Sequence, residues 1–163
     1  MKRRKKTNKS VPAKGRLRDM ADKLYSLAVR YDWGNKCAVC GAGKCEAHHL
    51  IPRQHQKTRY DLRNGIALCP VHHKFDADIS PHQNSAGWML WLWDYRREVH
   101  DWYLEKVRDH QHRKFEGTTN AQYYCDVIRS LKQYVEEEDY ERIVGVKFSQ
   151  WLETSVDTDS EKE

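Results

Sequence analysis

The sequence predicts an α+β fold, in which a small core of two strands and one helix lies between an N-terminal helix and a C-terminal helical region. Two observations lead to this prediction. A Cys37-x2-Cys40 pair and a Cys69-x2-His72 pair flank a stretch whose pattern is strand, polar loop, turn and strand. On both sides of this stretch, apolar residues recur at helical spacing.

Composition limits the class of protein. With 163 residues, of which 33% are charged and 39% hydrophobic, the chain suits one modest domain plus tails. Its five cysteines are an odd number, and its basic N-terminus is not followed by the apolar stretch of a secretory signal. We therefore expect an intracellular, cytoplasmic protein whose reduced thiols bind metal rather than form disulfides. The longest apolar cluster, Trp88–Trp93, is too short to span a bilayer, so we expect no membrane partner.

Charge is distributed unevenly along the chain, whose net charge is +5. Every charged residue before Asp19 is a lysine or an arginine, whereas acidic residues dominate the end of the chain. We expect residues 1–13 to form a disordered basic arm that contacts nucleic-acid phosphates, and residues 153–163 to form an acidic tail. The alternative for the arm is a solvated segment that keeps the protein in solution.

The first predicted unit covers residues 14–80. It begins with an amphipathic helix over residues 14–31, which leads into the first cysteine pair. Strands are expected over about 45–51 and 66–68, with an Asn-Gly turn signal before the second strand. A proline after the second strand suits the first turn of a short helix, which we expect over 70–78.

Residues 81–152 are predicted to form a helical region. One long helix is expected from Trp88 to about Gly117, a second from about Asn120 to Glu138, and a short element over 144–151. Aromatic residues are frequent on the first of these helices. At helical spacing, aromatic residues form a core more often than a platform for stacking bases, and we assign them to the core.

The two residue pairs together provide three thiolates and one imidazole. Zinc favours such a soft tetrahedral set, and ligands two residues apart chelate it with little strain. We therefore predict a structural zinc ion with four ligands, Cys37, Cys40, Cys69 and His72. In so small a core, zinc binding supplies much of the folding free energy. The alternative is a set of buried cysteines without metal, and Cys45 and Cys125 are left outside the site.

A second set of residues has the spacing His49-x14-Asn64-x8-His73. Together with the cysteine pairs, the stretches CAVCGAGKCEAHHLIPRQ and YDLRNGIALCPVHHKFD resemble the HNH endonucleases, the ββα-metal family. The resemblance covers about a quarter of the chain, from Cys37 to about Asp78. It implies a zinc-stabilised ββα-metal core and a nuclease that depends on a divalent metal.

The resemblance also implies a role for each motif residue. His49 stands where the family has its general base, and Asn64 where it has an asparagine that holds the hairpin loop and orients the base. His73 stands at a ligand of the catalytic metal, and His48 at a further ligand position where many members have aspartate. The metal is Mg²⁺, Mn²⁺ or Ni²⁺. Family members of this kind cut phosphodiester bonds and leave 5′-phosphate ends.

Local geometry adds to these assignments. On a helix, His73 points about 100° away from its neighbour His72, so it is free to bind a second metal. Adjacent strand residues face opposite ways, so His48 and His49 bind one ion only if the strand bulges. Whether they serve one metal centre therefore stays open. Histidine in place of aspartate at position 48 favours transition metals such as Mn²⁺, Ni²⁺ or Zn²⁺ over Mg²⁺.

Four further polar residues are weaker candidates. Arg53 follows the first strand and is a candidate for a phosphate contact, with an ordinary exposed arginine as the alternative. Asp76 lies three residues beyond His73, where it either joins the metal, orients a ligand or is a surface acid. His55 and His82 are interpreted as loop residues.

These patterns predict a metal-dependent DNA endonuclease with a histidine general base and one catalytic divalent metal. The run that contains Thr58, Arg59, Asp61 and Asn64 is similar to that of the phage NinG/Rap recombination endonucleases, which implies phage DNA recombination or processing in the host cytoplasm. The alternative is a zinc-stabilised DNA-binding or packaging accessory protein that does not itself cut DNA. The C-terminal helices are a candidate surface for a protein partner or a homodimer.

Overall fold

Helix α1 (Lys14–Asp32) lies between a two-stranded hairpin and a group of C-terminal helices. The computed structural model describes residues 11–108 and 115–155. The apolar residues that predicted α1 form its buried face, which includes Leu17, Leu24 and Tyr25. Beyond α1 the chain turns through Gly34 and Asn35, both with positive φ, and so enters the first cysteine pair. Helix α1 therefore packs against both the hairpin and the C-terminal helices.

The hairpin consists of strands β1 (Glu46–His49) and β2 (Gly65–Leu68), which pair antiparallel with His49 opposite Gly65. All four residues of β2 are buried, whereas those of β1 are half-buried. After β2 the chain forms a π-helical turn over Val71–Phe75, shorter than the helix predicted over 70–78. The predicted α+β class with a small ββα core is confirmed.

The prediction of one long helix from Trp88 to about Gly117 is wrong; residues 109–114 of that span lie outside the described residues. The chain instead forms α2 (Ser85–Tyr95) and α3 (Arg97–Arg108), and Arg96 between them has φ −141° and ψ 58°. The Arg96 guanidinium donates to the Ala38 carbonyl oxygen at 2.7 Å. It also lies 5.7 Å from the ring centroids of Trp33 and of Trp91. These long-range contacts fix the break.

The remaining helices are α4 (Ala121–Leu131), α5 (Glu137–Val144) and α6 (Val146–Thr154). The helix predicted to reach Glu138 therefore ends at Leu131, where a short 3₁₀ turn follows. Gly145, with φ 87°, separates α5 from α6. All three helices pack with α1 or with each other.

Buried side chains in the described residues form two clusters. The larger one joins α1 to α4, α5 and α6. The smaller one joins the cysteine pairs and β2 to Trp88 and Leu92 of α2. The prediction that aromatic residues belong to the core holds for Trp88 and Trp102, whereas Trp93 and Tyr95 are exposed.

The described residues do not include the whole of either charged terminus. Residues 1–10 of the predicted basic arm and residues 156–163 of the predicted acidic tail lie outside them. Residues 11–13 precede α1 without regular structure. Among the helices of the described ranges, none is both long and apolar enough to cross a membrane.

Gly65 lets the hairpin lie directly against α1. A Cβ atom at this position would meet Val29 Cγ2 at 2.2 Å and the Tyr25 hydroxyl at 2.9 Å. We expect Gly65→Ala to lower the free energy of unfolding by about 2–3 kcal/mol, because the helix must shift away from the hairpin. Urea unfolding of the purified variant measures this loss.

Gly43→Ala is the matched control, because a Cβ atom at Gly43 meets nothing within 4 Å. We expect its free energy of unfolding to stay within about 0.5 kcal/mol of the wild type. Equal stability of the two variants would show that the contact between α1 and the hairpin is not tight.

Candidate metal centres and active site

Four ligand atoms, from Cys37, Cys40, Cys69 and His72, lie within 4.8 Å of one another. The Sγ atoms of Cys40 and Cys69 are 3.9 Å apart, and the His72 Nδ1 lies 3.7 Å from Cys37 Sγ and 3.2 Å from Cys69 Sγ. A tetrahedron with zinc–sulfur distances of about 2.3 Å has edges of about 3.8 Å. The donor set and its dimensions therefore fit a structural zinc ion.

Backbone contacts shape this Cys3His cluster. Cys37 donates its amide to the Ala42 carbonyl, and Gly41 donates its amide to the Cys37 carbonyl, which closes a tight turn. Although burial acts to raise it, the pKa of Cys37 is lowered to about 6 by amides that donate to the sulfur, including that of Cys69. A thiolate is the form that binds zinc. The Ala38 amide donates to Ala67 of β2 at 2.9 Å, which fixes the first pair to the hairpin.

Asp76 faces the outer nitrogen of His72. Its Oδ2 lies 3.9 Å from His72 Nε2, while Nδ1 of the same ring points into the Cys3His cluster. Asp76 also accepts the amides of Asp78 and Ile79, which lowers the pKa of its carboxyl group. At 3.9 Å the two atoms are too far apart for a hydrogen bond, and Asp76 is a member of neither group of ligand atoms.

A second group of ligand atoms, from His48, His73 and His82, also lies within 4.8 Å; we call it the imidazole cluster. His48 Nδ1 lies 3.1 Å from His73 Nε2, which lies 3.3 Å from His82 Nε2. His82 is in a turn, as predicted for a loop residue, but the sequence interpretation did not place it at this site. Ser80 brings it there, because its hydroxyl donates to the His73 carbonyl at 2.9 Å and accepts the His82 amide at 3.2 Å.

Glu46 holds His73 in one tautomer. Its Oε2 lies 2.6 Å from His73 Nδ1 and 2.7 Å from the Lys74 ammonium group. Because an ionised carboxylate can only accept, His73 Nδ1 carries the proton and Nε2 keeps its lone pair for a metal. Sequence reasoning missed Glu46, although strand alternation places it on the same face as His48.

Two rings of the imidazole cluster, those of His48 and His73, have the charge state that metal binding needs. Burial, together with His73 and His82, lowers the pKa of His48 to about 3. Burial also lowers the pKa of His73, despite the opposing effect of the Glu46 carboxylate. Both rings are therefore neutral near pH 7, and a neutral imidazole is a metal ligand.

His49 lies outside the imidazole cluster, on the other face of β1. Its Nε2 lies 3.0 Å from the Arg59 carbonyl oxygen, and its ring stacks on Tyr25 with centroids 4.6 Å apart. A carbonyl only accepts, so Nε2 carries the proton and Nδ1 keeps its lone pair. Burial lowers the pKa of His49. A neutral imidazole in this tautomer can accept a proton through Nδ1.

One protein family matches the segment that contains both residue pairs. Residues 37–77 match the family model of the HNH endonucleases. We call this segment, which is similar to the HNH endonucleases, the HNH domain. The match spans about a quarter of the chain and contains both residue pairs, β1, β2 and the π-helical turn, whereas His82 lies beyond it. Comparisons with curated proteins and with solved structures give no significant match.

Within the HNH domain, Asn64 closes the loop that follows β1. Its side chain is fully buried, accepts the Ile51 amide at 2.7 Å and donates to the carbonyls of Ile51 and Thr58 at 3.0 Å. These bonds use both ends of one amide, which no carboxylate or aliphatic side chain can reproduce. Asn64 thus ties the end of β1 to the segment that presents the Arg59 carbonyl to His49.

Arg59 links this segment of the HNH domain to α1, outside the family match. Its guanidinium binds both carboxylate oxygens of Asp22, with a shortest distance of 2.6 Å, and donates to the Arg53 carbonyl at 2.7 Å. Tyr60 donates to the same carboxylate at 2.8 Å. The Arg59 side chain is buried, so it is not free to bind phosphate, whereas Arg53 is exposed. Sequence spacing did not indicate a role for Asp22, because its partner Arg59 is 37 residues away in the chain.

Loss of one zinc ligand should remove the metal and destabilise the HNH domain. We expect Cys37→Ser to bind no zinc and to melt at least about 10 °C lower, because structural zinc sites contribute roughly 10–16 kcal/mol of apparent binding free energy. Zinc content by atomic absorption and thermal unfolding by circular dichroism measure both effects.

Cys125→Ser is the control, since Cys125 is buried in α4 and is not part of the Cys3His cluster. It should keep its zinc. A Cys37→Ser variant that melts at the wild-type temperature without zinc would contradict a structural role for the metal.

Asp22 should matter for stability and for the orientation of His49. In Asp22→Asn the buried Arg59 guanidinium loses its counter-charge, so we expect a loss of about 2–3 kcal/mol in the free energy of unfolding. The Nε2-protonated tautomer of His49 should also lose population, because the Arg59 carbonyl is no longer fixed. Urea unfolding and long-range nitrogen–proton NMR of the imidazole measure the two changes.

Asp19→Asn is a control on the same helix, because the Asp19 side chain is 65% exposed and lies 3.9 Å from Arg18. We expect no more than about 0.5 kcal/mol from this change. If both variants behave alike, Asp22 does not hold Arg59 in solution.

Proposed function

We propose that the protein is a metal-dependent endonuclease that hydrolyses phosphodiester bonds in DNA. His49 is the general base, and His48, His73 and His82 bind one catalytic divalent metal. The observation that carries this proposal is the contact of His49 Nε2 with the Arg59 carbonyl oxygen at 3.0 Å. The carbonyl accepts a hydrogen bond from Nε2–H, so Nδ1 carries no proton and can act as the base. DNA binding alone does not require a base held in this way beside a cluster of three imidazoles.

The reaction needs a proton acceptor at the attacking water. His49 Nδ1 accepts that proton, the water oxygen bonds to phosphorus, and the bond from phosphorus to the 3′ oxygen breaks. The leaving oxygen takes a proton from solvent, so the products are a 5′-phosphate and a 3′-hydroxyl end. His48, His73 and His82 would hold the divalent ion, whose chemistry there would be to polarise the phosphate and to stabilise charge on the leaving oxygen.

The ligand set supports a preference among metals. All three ring ligands are imidazoles, and Glu46 acts on His73 rather than as a ligand of the cluster. Imidazole suits borderline transition metals, whereas Mg²⁺ prefers oxygen ligands. Of the metals considered, we therefore favour Mn²⁺ and Ni²⁺ over Mg²⁺ for catalysis, with zinc in the Cys3His cluster.

The wider setting is part of the same proposal. HNH endonuclease domains act on DNA, and the exposed Arg53 next to the site is suited to contact a phosphate. The run from Thr58 to Asn64 is similar to that of the phage recombination endonucleases. This similarity supports a role in phage DNA processing. A compartment with reduced thiols, such as the cytoplasm, would keep the Cys3His cluster able to bind zinc.

Cleavage of supercoiled plasmid tests the proposal. Protein freed of its catalytic metal, but not of zinc, is refilled with Mg²⁺, Mn²⁺ or Ni²⁺. We expect cutting with Mn²⁺ or Ni²⁺, and we expect His49→Ala to cut at least about 100-fold more slowly, because general-base catalysis typically contributes 10²–10⁴-fold.

Two variants separate the base from the metal. His49→Ala should bind Mn²⁺ with wild-type affinity in calorimetry, whereas His82→Ala should bind it at least about 10-fold more weakly. Both should still bind DNA. Wild-type cutting by His49→Ala would refute the assigned mechanism. DNA binding without cutting by the wild type in any metal would favour a zinc-stabilised binding or packaging accessory protein.

A further inference from the structure

A cavity of about 240 Å³ opens beside the two histidines of β1. Both His48 and His49 are among the residues that line it, and the other lining residues come mostly from outside the family match. These walls include Trp88, Met89 and Leu92 of α2, Tyr103 of α3, and two prolines, Pro52 and Pro81. Whatever occupies the cavity therefore lies next to the proposed base and metal ligands.

The wall formed by α2 is well packed. Trp88 is only 4% exposed and Leu92 is fully buried. The Trp88 ring stacks on Trp91, with centroids 5.2 Å apart. It also lies edge-on to the His48 ring, with centroids 6.3 Å apart. The cavity is thus a formed recess between the active site and a fixed helix.

The chemistry of the lining decides what the cavity can bind. No lysine, arginine, aspartate or glutamate is among the residues that line it. A phosphate would lose its hydration there without gaining an opposite charge from the walls. The aromatic and aliphatic walls, with hydroxyls from Ser85 and Tyr103, suit a flat, mostly apolar group that carries polar edges, which is the character of a nucleobase.

We propose that the cavity takes one unpaired nucleobase next to the scissile phosphate, so that the preferred substrate is single-stranded or locally unpaired DNA. This inference rests on the proposed function, because the position of His48 and His49 in the wall makes the occupant a neighbour of the reacting phosphate. A base stacked and paired inside a duplex cannot reach such a recess until it is turned out of the helix. Unpaired DNA avoids that cost.

Binding is tested with three DNA probes of one sequence: a paired duplex, the same duplex with one unpaired nucleotide, and the single strand. The protein carries zinc in the Cys3His cluster alone and no metal in the imidazole cluster, so that no strand is cut during the binding measurement. We expect the two probes with unpaired bases to bind about 10–100-fold more tightly than the paired duplex. The unpaired nucleotide is 2-aminopurine, whose fluorescence reports a change of environment on binding.

Met89→Trp fills the cavity and is the decisive variant. It should reduce the preference for unpaired DNA to less than about 3-fold, while its affinity for the paired duplex stays at the wild-type level. Leu90→Trp is the matched control, because Leu90 is the next residue of α2, is 66% exposed and does not line the cavity. It should keep the full preference.

If Met89→Trp does not fold, Tyr103→Ala removes a different part of the wall and should reduce the same preference. Equal affinity of the wild type for paired and unpaired probes, or an unchanged preference in a folded cavity variant, would overturn the inference. Cleavage with Mn²⁺, measured separately, distinguishes the two proposals. A preference for unpaired DNA without cleavage would refute the proposed nuclease activity but not the nucleobase site. Cleavage without such a preference would refute the nucleobase site but not the nuclease activity.

Discussion

Strand alternation in β1 is the constraint on which the whole site depends. Successive residues of a strand face opposite sides, so His48 and His49 are neighbours in the chain but lie in different surroundings. Glu46 and His48 face the side on which His73 and His82 complete a cluster of ligand atoms. His49 faces Tyr25, the far side. A four-residue strand, in regular register with β2, thus places the proposed metal ligand His48 and the proposed base His49 on different faces.

The side of β1 that carries His49 is completed by α1. Tyr25 stacks on the imidazole, and Asp22 holds Arg59, whose carbonyl fixes the tautomer. Gly65 makes this possible, because a side chain there would push α1 away from the hairpin. The residues matched by the family model therefore do not form the surroundings of His49 by themselves. A helix that precedes them contributes one face of the ring and the anchor of its hydrogen-bond partner.

The sequence predicted what short spacing determines and missed what tertiary contacts determine. Pairs of ligands two residues apart must lie close together, so the Cys3His cluster could be proposed from spacing alone. His82 joins the imidazole cluster only because Ser80 bends the chain back to the His73 carbonyl, and a turn signal does not say where a turn leads. The helix break at Arg96 was missed for the same reason. Helical spacing continues through it, whereas its partner Ala38 is 58 residues away.

Helices α2 and α3, which follow residue 80, contribute residues to the candidate site. Trp88 and Leu92 are buried in the same cluster as Cys37, Cys69 and β2, so α2 is held by the metal-binding core. Because Trp88 also lies edge-on to His48, a shift of α2 would change both the proposed metal ligand and the wall of the cavity. The position of α2 therefore depends on how firmly the four ligands of the Cys3His cluster are held. A structural zinc ion would therefore act on the proposed active site from a distance, by holding the helix that lines the cavity beside His48.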